Sequence, residues 1–369
     1  MTMVADEKGP AESKIRPVDR VQWTDCGRLI DRVLGQERAK ALLGAGLRAG
    51  RFPHALLITG PAGVGKSILA QAVAQALLCS RPDSSGWGCG VCRDCREVEA
   101  GTHPDLHCLQ VQQGQRIGVD QLRDWVREVA ALRPAQAGYG VGVLAPADML
   151  TDAGQNMLLK SLEEPPAQVK WLLVTESPAG LLPTVRSRCQ QVTLAALPVE
   201  LVEAWLVDRG VPQEVAASAA RLSGGRPAVA WQLSREEAAA ARQSAVDWVW
   251  RLRKVPVNQL FQEAQAWVEA EDLAAKLETL AFVLRDLALT GSGMTQVLLV
   301  PELKVRFANA DVRVLEPERF LDLAQEAYQL ARRVGQTGSA RLGVEALFLQ
   351  VRAAWRQDRL PEQKPAQRR

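Results

Sequence analysis

The sequence GPAGVGKS, residues 60–67, matches the pattern G-x-x-x-x-G-K-[ST] of a phosphate-binding loop. It follows the apolar run ALLIT (55–59) and opens the helical pattern SILAQAVAQALL (67–78), in the order strand, loop, helix that phosphate binding requires. In such a loop, glycines let backbone N–H groups approach phosphate oxygens, the lysine pairs with the outer phosphates, and the hydroxyl reaches magnesium. The residues assigned to these tasks are Gly60, Gly63, Gly65, Lys66 and Ser67. The alternative is a glycine-rich turn that binds no ligand.

The acidic residues that usually accompany such a loop are missing. In a hydrolysing protein of this type, an acid at the end of a neighbouring strand holds magnesium, and a further acid or a glutamine orients the attacking water. The best candidate strand is VGVLA (141–145), which ends in Ala145 and continues with Pro146. Asp148 is expected to be a turn or cap residue whose side chain does not face the phosphates. The sequence therefore predicts a phosphate loop without the carboxylates for hydrolysis.

Short apolar runs alternate with helical patterns in the first half of the chain. The predicted strands cover 55–59, 106–111, 141–145, 171–175 and 190–194. Such alternation predicts a parallel sheet that helices cover on both faces. After Pro198 the strand signal ends, and Ala- and Leu-rich helical patterns continue to Trp355. An amphipathic helix is also predicted to begin near Leu29.

The 369 residues exceed a typical single domain, so two or three compact units are expected. The predicted divisions are a disordered tail at 1–17, an α/β domain of phosphate-loop type at 18–196, a small helical domain at 197–237, a helical C-terminal domain at 238–356 and a tail at 357–369. Basic residues number 45 and acidic residues 42, which is too even for binding nucleic acid by bulk charge alone. The polar N-terminal segment is no signal peptide, and no apolar run reaches the roughly 18 residues of a membrane span. A cytoplasmic protein without membrane contact is expected.

Four cysteines lie close together between the phosphate-loop helix and the next predicted strand. They are Cys79, Cys89, Cys92 and Cys95, separated by nine, two and two residues. The C-x-x-C spacing places two sulfurs a tight turn apart, and Gly88 and Gly90 permit the chain to reverse, so a module at 79–95 is predicted to hold one tetrahedral zinc ion. Because protein ligands take all four positions, the ion would be structural. The alternative is a redox-active C-x-x-C pair.

The other cysteines and the nearby histidines lack this spacing. Cys26, Cys108 and Cys189 are predicted to be small buried residues. His103 and His107 are alternative ligands in a less regular metal site, although each is expected to be an ordinary loop histidine.

Three further segments carry a family resemblance: GTHPD (101–105), LTDAGQNMLLKSLEEPP (150–166) and SRC (187–189). Together with the phosphate loop, they resemble the clamp-loader subunits of the AAA+ class. The four-cysteine insertion and the absent acids narrow the resemblance to the delta-prime family of bacterial DNA polymerase III. It covers residues 28–200 densely, whereas the C-terminal half matches only in length and helical character. The second segment also has a plain structural interpretation, a helix with inward-facing Met157, Leu158 and Leu162 that ends at Pro165 and Pro166.

The resemblance implies a fold and several residue roles. The implied fold is an α/β AAA+ P-loop domain with a parallel sheet and a zinc-binding insertion, followed by a small helical lid and an all-α collar domain. Arg188 is implied to be an arginine finger that enters the ATP site of a neighbouring subunit. Thr175 is implied to be a polar sensor and Arg226 a second sensor, although Pro227 departs from the ATPase pattern. The alternatives are a solvated loop for Arg188 and a half-buried strand threonine for Thr175.

By this resemblance the chain is a non-hydrolysing component of the DNA polymerase III holoenzyme, which is a DNA-directed DNA polymerase. It would join delta and tau/gamma subunits in a hetero-pentamer that opens the sliding clamp and places it on primed DNA. No intrinsic ATPase activity is expected. Zinc is the expected structural cofactor, and binding of ATP or ADP without hydrolysis stays open.

Two other functions fit parts of the sequence. An active ATPase subunit of the same loader, of tau/gamma type, requires an acid at position 145 or 146, and neither position has one. A zinc-dependent, sequence-specific DNA-binding protein would be more basic and would carry a basic recognition helix near the cysteines.

Overall fold

The structure is a computed structural model that describes most of the chain. The described residues are 27–110, 116–131, 138–165, 168–252, 254–270, 272–294, 298–300, 303, 316–334 and 340–356. The predicted tails at 1–17 and 357–369, Cys26 and Pro166 lie outside the described residues.

Five parallel strands form one sheet, in the order β2-β3-β4-β1-β5. The strands are β1 (Ala55–Thr59), β2 (Leu106–Gln110), β3 (Gly140–Ala145), β4 (Val169–Thr175) and β5 (Gln190–Thr193). The predicted strands and their parallel arrangement are thus confirmed, with ends that differ by at most two residues. Thr59, Thr175 and Thr193 lie level with one another across β1, β4 and β5. The residues that follow these three strands therefore lie together at the C-terminal end of the sheet.

Helices cover both faces of the sheet. They are α1 (Glu37–Arg48), α2 (Lys66–Leu78), α3 (Arg93–Ala100), α4 (Val119–Ala131), α5 (Asp152–Glu163) and α6 (Pro183–Ser187), with 3-10 turns at Leu29–Arg32, Ala147–Met149 and Pro178–Gly180. Because successive strand residues point to opposite faces, β1 contributes to two cores. Leu56 and Ile58 lie in a buried cluster with Leu69 of α2. Leu57 lies in a second cluster with Leu122 of α4.

The helix predicted to begin near Leu29 is wrong in its first part. Leu29–Arg32 forms one 3-10 turn, and Gly35 and Gln36 follow with backbone φ angles of 58° and 61°. A helix cannot continue through this left-handed conformation. The regular helix α1 therefore begins only at Glu37.

The chain divides into two compact units. One comprises the residues up to Val202 together with Gly224–Val229, and the other comprises Glu203–Ser223 and the residues from Ala230 onward. The elements from residue 199 onward are α7 (Val199–Val207), α8 (Gln213–Ser223), α9 (Pro227–Leu233), α10 (Glu236–Arg251), α11 (Val257–Val268), α12 (Leu273–Gly291), α13 (Pro317–Arg333) and α14 (Ala340–Arg356). The separation of helices at 197–237 from those at 238–356 into two domains stays a prediction.

Aromatic side chains fill the centre of the second unit. The rings of Trp248 and Phe348 lie 4.4 Å apart, and Trp267 lies 4.9 Å from Trp248 and 5.0 Å from Phe348. These contacts join α10, α11 and α14 in one hydrophobic core. Within the described residues, none of the helices combines the length and apolar character that crossing a bilayer demands.

Candidate functional site

The phosphate loop connects the buried strand β1 to helix α2. The strand ends at Thr59 and the helix begins at Lys66, so the loop lies at the N-terminus of a 13-residue helix. Backbone dipoles make this end of a helix partially positive, which favours an anion. Ser67, in the first turn, is exposed. The local arrangement is the one that the sequence pattern predicts.

The start of helix α9 contacts this loop. The backbone N–H of Ala228 donates to the carbonyl oxygen of Gly63 at 3.1 Å. Gly63 has a φ of 78°, and a Cβ at this position would lie 2.8 Å from a methyl carbon of Val229. Glycine therefore permits the close contact as well as the left-handed backbone. Arg226 directly precedes α9 and lies two residues before Ala228, which contacts the loop. Its role as a second sensor stays a prediction.

The ammonium group of Lys66 already has partners. Its side chain is 6% exposed, and Nζ donates to the carbonyl oxygen of Pro61 at 2.7 Å and lies 3.4 Å from Glu176 Oε1. Burial lowers the pKa of Lys66, whereas the charges of Glu176 and Asp148 oppose that shift. The lysine is thus held in the loop by one carbonyl and one carboxylate, which a phosphate would have to replace.

Thr175 and Asp148 form a hydrogen-bonded pair at the C-terminal end of the sheet. Thr175 is fully buried at the end of β4, and its Oγ1 donates to Asp148 Oδ1 at 2.6 Å and accepts from the N–H of Ser177 at 3.0 Å. Thr175 is therefore a fully buried strand threonine and not a half-buried one, and its role as a sensor stays a prediction. Asp148 lies in the turn Ala147–Met149, as expected, and α5 is capped not by Asp148 but by Thr151, which accepts from Gly154 N at 3.2 Å. The charge of Asp148 acts on Lys66 of the phosphate loop, which does not support the expectation that this side chain lies away from the phosphates.

Glu176 is a candidate functional residue that the sequence motifs do not indicate. Its carboxylate follows β4 directly, and β4 is the strand next to β1 in the sheet. The available signal was an acid placed directly after a buried apolar strand. An acid was expected after β3, whereas Glu176 follows β4. No local sequence pattern shows that β4 is the neighbour of β1 in the sheet.

The four predicted cysteine ligands come together as a cluster. The Sγ atom of Cys79 lies 3.7 Å from that of Cys89 and 3.8 Å from that of Cys92, and Cys89 and Cys95 are 3.9 Å apart. All four sulfurs lie within 4.8 Å of one another. A tetrahedron with Zn–S distances of about 2.3 Å has sulfurs about 3.8 Å apart. The cluster therefore has the size and the ligand number of a closed tetrahedral metal centre.

Backbone N–H groups point at these sulfurs. Cys79 Sγ accepts from the N–H of Arg81 and of Cys89, Cys89 Sγ accepts from Cys92, and Cys92 Sγ accepts from Cys95, each at 3.4 Å. Burial raises the pKa of Cys89, but hydrogen bonds from the backbone of Val91 and Cys92 and with the thiols of Cys79 and Cys92 lower it to about 7. Burial raises the pKa of Cys95, and the neighbouring sulfurs raise it further. A cation among the sulfurs would offset this burial and crowding of negative charge.

His103 lies beside the cysteine cluster but is not suited to bind the metal. It is 3% exposed, and its Nδ1 accepts from the backbone N–H of Asp105 at 3.1 Å. The ring proton of the neutral imidazole is therefore on Nε2, which lies 4.0 Å from Asp94 Oδ1 and has no hydrogen-bond partner among the described atoms. A metal would need that nitrogen without its proton. Asp94, Glu97 and His103 lie within 4.8 Å of one another, but this tautomer disfavours a second metal.

The remaining histidine and cysteine predictions have mixed outcomes. His107 is not a loop residue, because it lies in β2. Cys189 is buried as predicted, and burial raises its pKa to about 11. Cys108 is only partly buried and packs against the core beside α2. Gly90 has the φ of 75° that a chain reversal needs, whereas Gly88 has no positive φ and instead lets the chain approach Gln75.

The segments around SRC and LEEPP meet on the surface of the first unit. Arg188 ends α6, where its Nη1 donates to the carbonyl oxygen of Thr184 at 3.0 Å. Its Nη2 lies 2.6 Å from Glu163 Oε1 at the end of α5. The Arg188 side chain is 36% exposed, so this arginine is a partly exposed surface residue that makes an ion pair within its own chain. The helix predicted for the second segment is confirmed, with Leu158 and Leu162 buried.

Comparisons with known proteins identify relatives over much of the chain. Residues 35–198 match the family described as DNA polymerase III, delta subunit. DNA polymerase III subunit delta' of Escherichia coli (strain K12) is 36% identical over 269 residues, which are 72% of this chain and 79% of that protein. The corresponding protein of Pseudomonas aeruginosa is 40% identical over 206 residues, which are 54% of this chain and 62% of that protein.

Further comparisons match a smaller part of the chain or show weaker similarity. DNA polymerase III subunit tau of Salmonella typhimurium is 41% identical over 170 residues, which are 46% of this chain and 26% of that protein. A solved DNA polymerase III gamma subunit-related protein from Thermotoga maritima aligns with 85% of this chain and 99% of its own, with a TM-score of 0.41 and 15% identity.

Proposed function

This chain belongs to the DNA polymerase III subunit delta' family, and we propose that it promotes ATP hydrolysis in a neighbouring clamp-loader subunit without hydrolysing nucleotide itself. In this proposal it is a component of a bacterial replicative clamp loader of the AAA+ class. It assembles with delta and tau/gamma subunits in a hetero-pentamer, and through that assembly it acts on the sliding clamp and primed DNA.

The absence of an acid at positions 145 and 146, at the end of β3, supports the non-hydrolysing part of the proposal, and the next acid, Asp148, is hydrogen-bonded to Thr175. The phosphate loop at the end of β1 is intact, but β3 ends in Ala145 and continues with Pro146. Neither side chain can bind a cation or accept a proton from water. In related ATPases an acid at this position holds magnesium or orients the attacking water, and this chain has no such residue at positions 145 and 146.

Nucleotide binding without turnover is compatible with the loop. Backbone N–H groups at Gly60, Gly63 and Gly65 would bind phosphate oxygens, and Ser67 would reach magnesium. Lys66 would exchange its contacts with Pro61 and Glu176 for the outer phosphates. Thr175 and Arg226 are proposed as sensors of the bound nucleotide.

The isolated chain is expected to show no steady-state ATPase activity, because Ala145 and Pro146 offer no ligand to magnesium or to the attacking water. The measurement is phosphate release at increasing concentrations of purified chain, with Lys66→Ala as the reference for contaminating activity. Turnover that increases with the chain and disappears in Lys66→Ala would contradict the proposal.

The same assay tests the alternative of an active ATPase. The observation that favours this alternative is that Glu176 and Asp148 act on Lys66 from neighbouring positions. If the chain hydrolyses ATP and Glu176→Gln abolishes the turnover, Glu176 after β4 performs the role expected of an acid at the end of β3.

The cysteine cluster is proposed to hold one structural zinc ion. The ligands would be Cys79, Cys89, Cys92 and Cys95, whose sulfurs have the spacing of a tetrahedral centre. When bound, the ion neutralises thiolates and closes the chain between α2 and α3. A full set of four protein ligands leaves no position for a substrate, so the ion supplies stability and not chemistry.

Reconstitution tests the proposed function as a whole. Delta and tau/gamma subunits, the sliding clamp and primed DNA are combined with and without this chain, and ATP turnover and clamp loading are measured. Loading and stimulated turnover are expected to require the chain, although it hydrolyses no ATP by itself. Equal loading in its absence would overturn the proposal.

A further inference from the structure

Arg188 directly follows α6 and contacts the last residue of α5. Leu158 and Leu162 fix this helix in the core below the sheet. The residues of α5 that face α6 come from the segment QNMLLKSLEE, for which the proposed function alone supplies no task. Contacts of Gln155 and Glu163 connect this segment to Leu182 and Arg188.

Gln155 holds the backbone that leads into α6. Its side chain is 2% exposed, its Nε2 donates to the carbonyl oxygen of Gly180 at 3.1 Å, and its Oε1 accepts from the N–H of Leu182 at 2.6 Å. Leu182 is the residue directly before α6, and Val185 of α6 is fully buried. The N-terminal end of α6, the short helix that Arg188 directly follows, is therefore hydrogen-bonded to α5.

Glu163 contacts Arg188, which directly follows the C-terminal end of α6. As the last residue of α5, it lies 2.6 Å from Arg188 Nη2, and the C-terminal end of a helix is itself partially negative. The Thr184 carbonyl oxygen engages Nη1. A guanidinium carries five N–H donors in a rigid plane, so donors remain for a phosphate oxygen of another subunit.

We propose that Glu163 is the positioning residue of the arginine finger: it orients the guanidinium of Arg188 before a neighbouring subunit binds. The inference rests on the proposed function of Arg188. An arginine side chain has four rotatable bonds, and ordering it costs conformational entropy. Two contacts made within the free subunit meet that cost before assembly, so the guanidinium enters the neighbouring site already oriented.

The test uses the reconstituted loader with full-length Glu163→Gln, and Glu164→Gln as the matched control. Glu164 carries the same charge one residue away and makes no ion pair among the described residues. Because an exposed ion pair contributes little to stability, Glu163→Gln should fold and assemble as the unmodified chain does. Its maximal clamp- and DNA-stimulated turnover should fall by about half or more of the loss that Arg188→Ala causes, with the KM for ATP unchanged.

Two further variants make the result specific. Glu163→Asp, which keeps the charge, should restore part of the turnover. The double variant Glu163→Gln with Arg188→Ala should match Arg188→Ala alone, since the two residues act in one interaction.

Three outcomes would overturn the inference. One is unchanged turnover in Glu163→Gln while Arg188→Ala is impaired, which leaves the proposed function intact. Another is increased turnover in Glu163→Gln, which would mean that Glu163 restrains the arginine. If Arg188→Ala itself has no effect, the proposed function of Arg188 fails first.

Discussion

Arg188→Ala will lower the clamp- and DNA-stimulated ATP turnover of the assembled loader, while the variant chain still folds and joins the complex. A guanidinium supplies fixed positive charge where the transferred phosphoryl group becomes most negative. Removing an arginine finger costs roughly 10³-fold or more in rate at the site that it completes. Sister sites with their own arginines continue, so total turnover should fall in part and not to zero. Turnover per assembled complex is the measurement.

Two variants distinguish geometry from charge at this position. Arg188→Lys should restore little activity, because an ammonium group cannot reproduce the planar fork that meets two phosphate oxygens. Arg186→Ala removes an equal charge two residues away and should have a much smaller effect. If Arg188→Ala and Arg186→Ala both assemble and load clamps at the unmodified rate, the action of Arg188 on a neighbouring subunit is refuted.

Cys92→Ser will remove most of the bound zinc and lower the thermal stability of the chain. The unmodified protein should contain about one zinc ion per chain, because four thiolates make one closed tetrahedral site. A serine hydroxyl does not replace a thiolate, and three sulfurs would remain crowded without their cation. Losing a structural ligand set should lower the melting temperature by about 5–10 °C for a unit of this size. Metal analysis and thermal unfolding provide the two measurements.

Cys108→Ser is the matched control for this experiment. Cys108 lies in β2, outside the cluster of four sulfurs, so its replacement should leave the zinc content unchanged. The site is misassigned if Cys92→Ser keeps both the metal and the melting temperature of the unmodified chain. Neither variant should alter hydrolysis chemistry directly, since the metal centre has no open position.

The features that were correctly predicted depend on short windows of sequence. The apolar runs of the five strands, the glycines before Lys66 and the C-x-x-C spacing each involve neighbouring residues. Local sterics, strand periodicity and ligand spacing operate over the same range. The error at Leu29 has the same scale, because apolar periodicity suggested a helix whereas Gly35 and Gln36 impose a left-handed backbone.

The features that prediction missed depend on the order of the strands. Glu176 reaches Lys66 because β4 lies beside β1, whereas the expected acid was sought after β3. The segment at Ala228 contacts the phosphate loop although 165 residues separate it from Gly63 in the chain. Such contacts are set by packing energies summed over the whole unit and leave no periodic signal in the sequence.

By itself, the sequence determined the phosphate loop, the parallel α/β character, the four-cysteine module and the missing acids at positions 145 and 146. Each is encoded by residue types at fixed short spacing, and the chemistry of a glycine loop or a thiolate set requires that spacing. Only the tertiary structure decided that Lys66 is paired with Glu176, that His103 keeps its proton on Nε2, and that Glu163 meets Arg188. These pairings join residues from different elements, and their geometry exists only after the two cores have packed against the sheet.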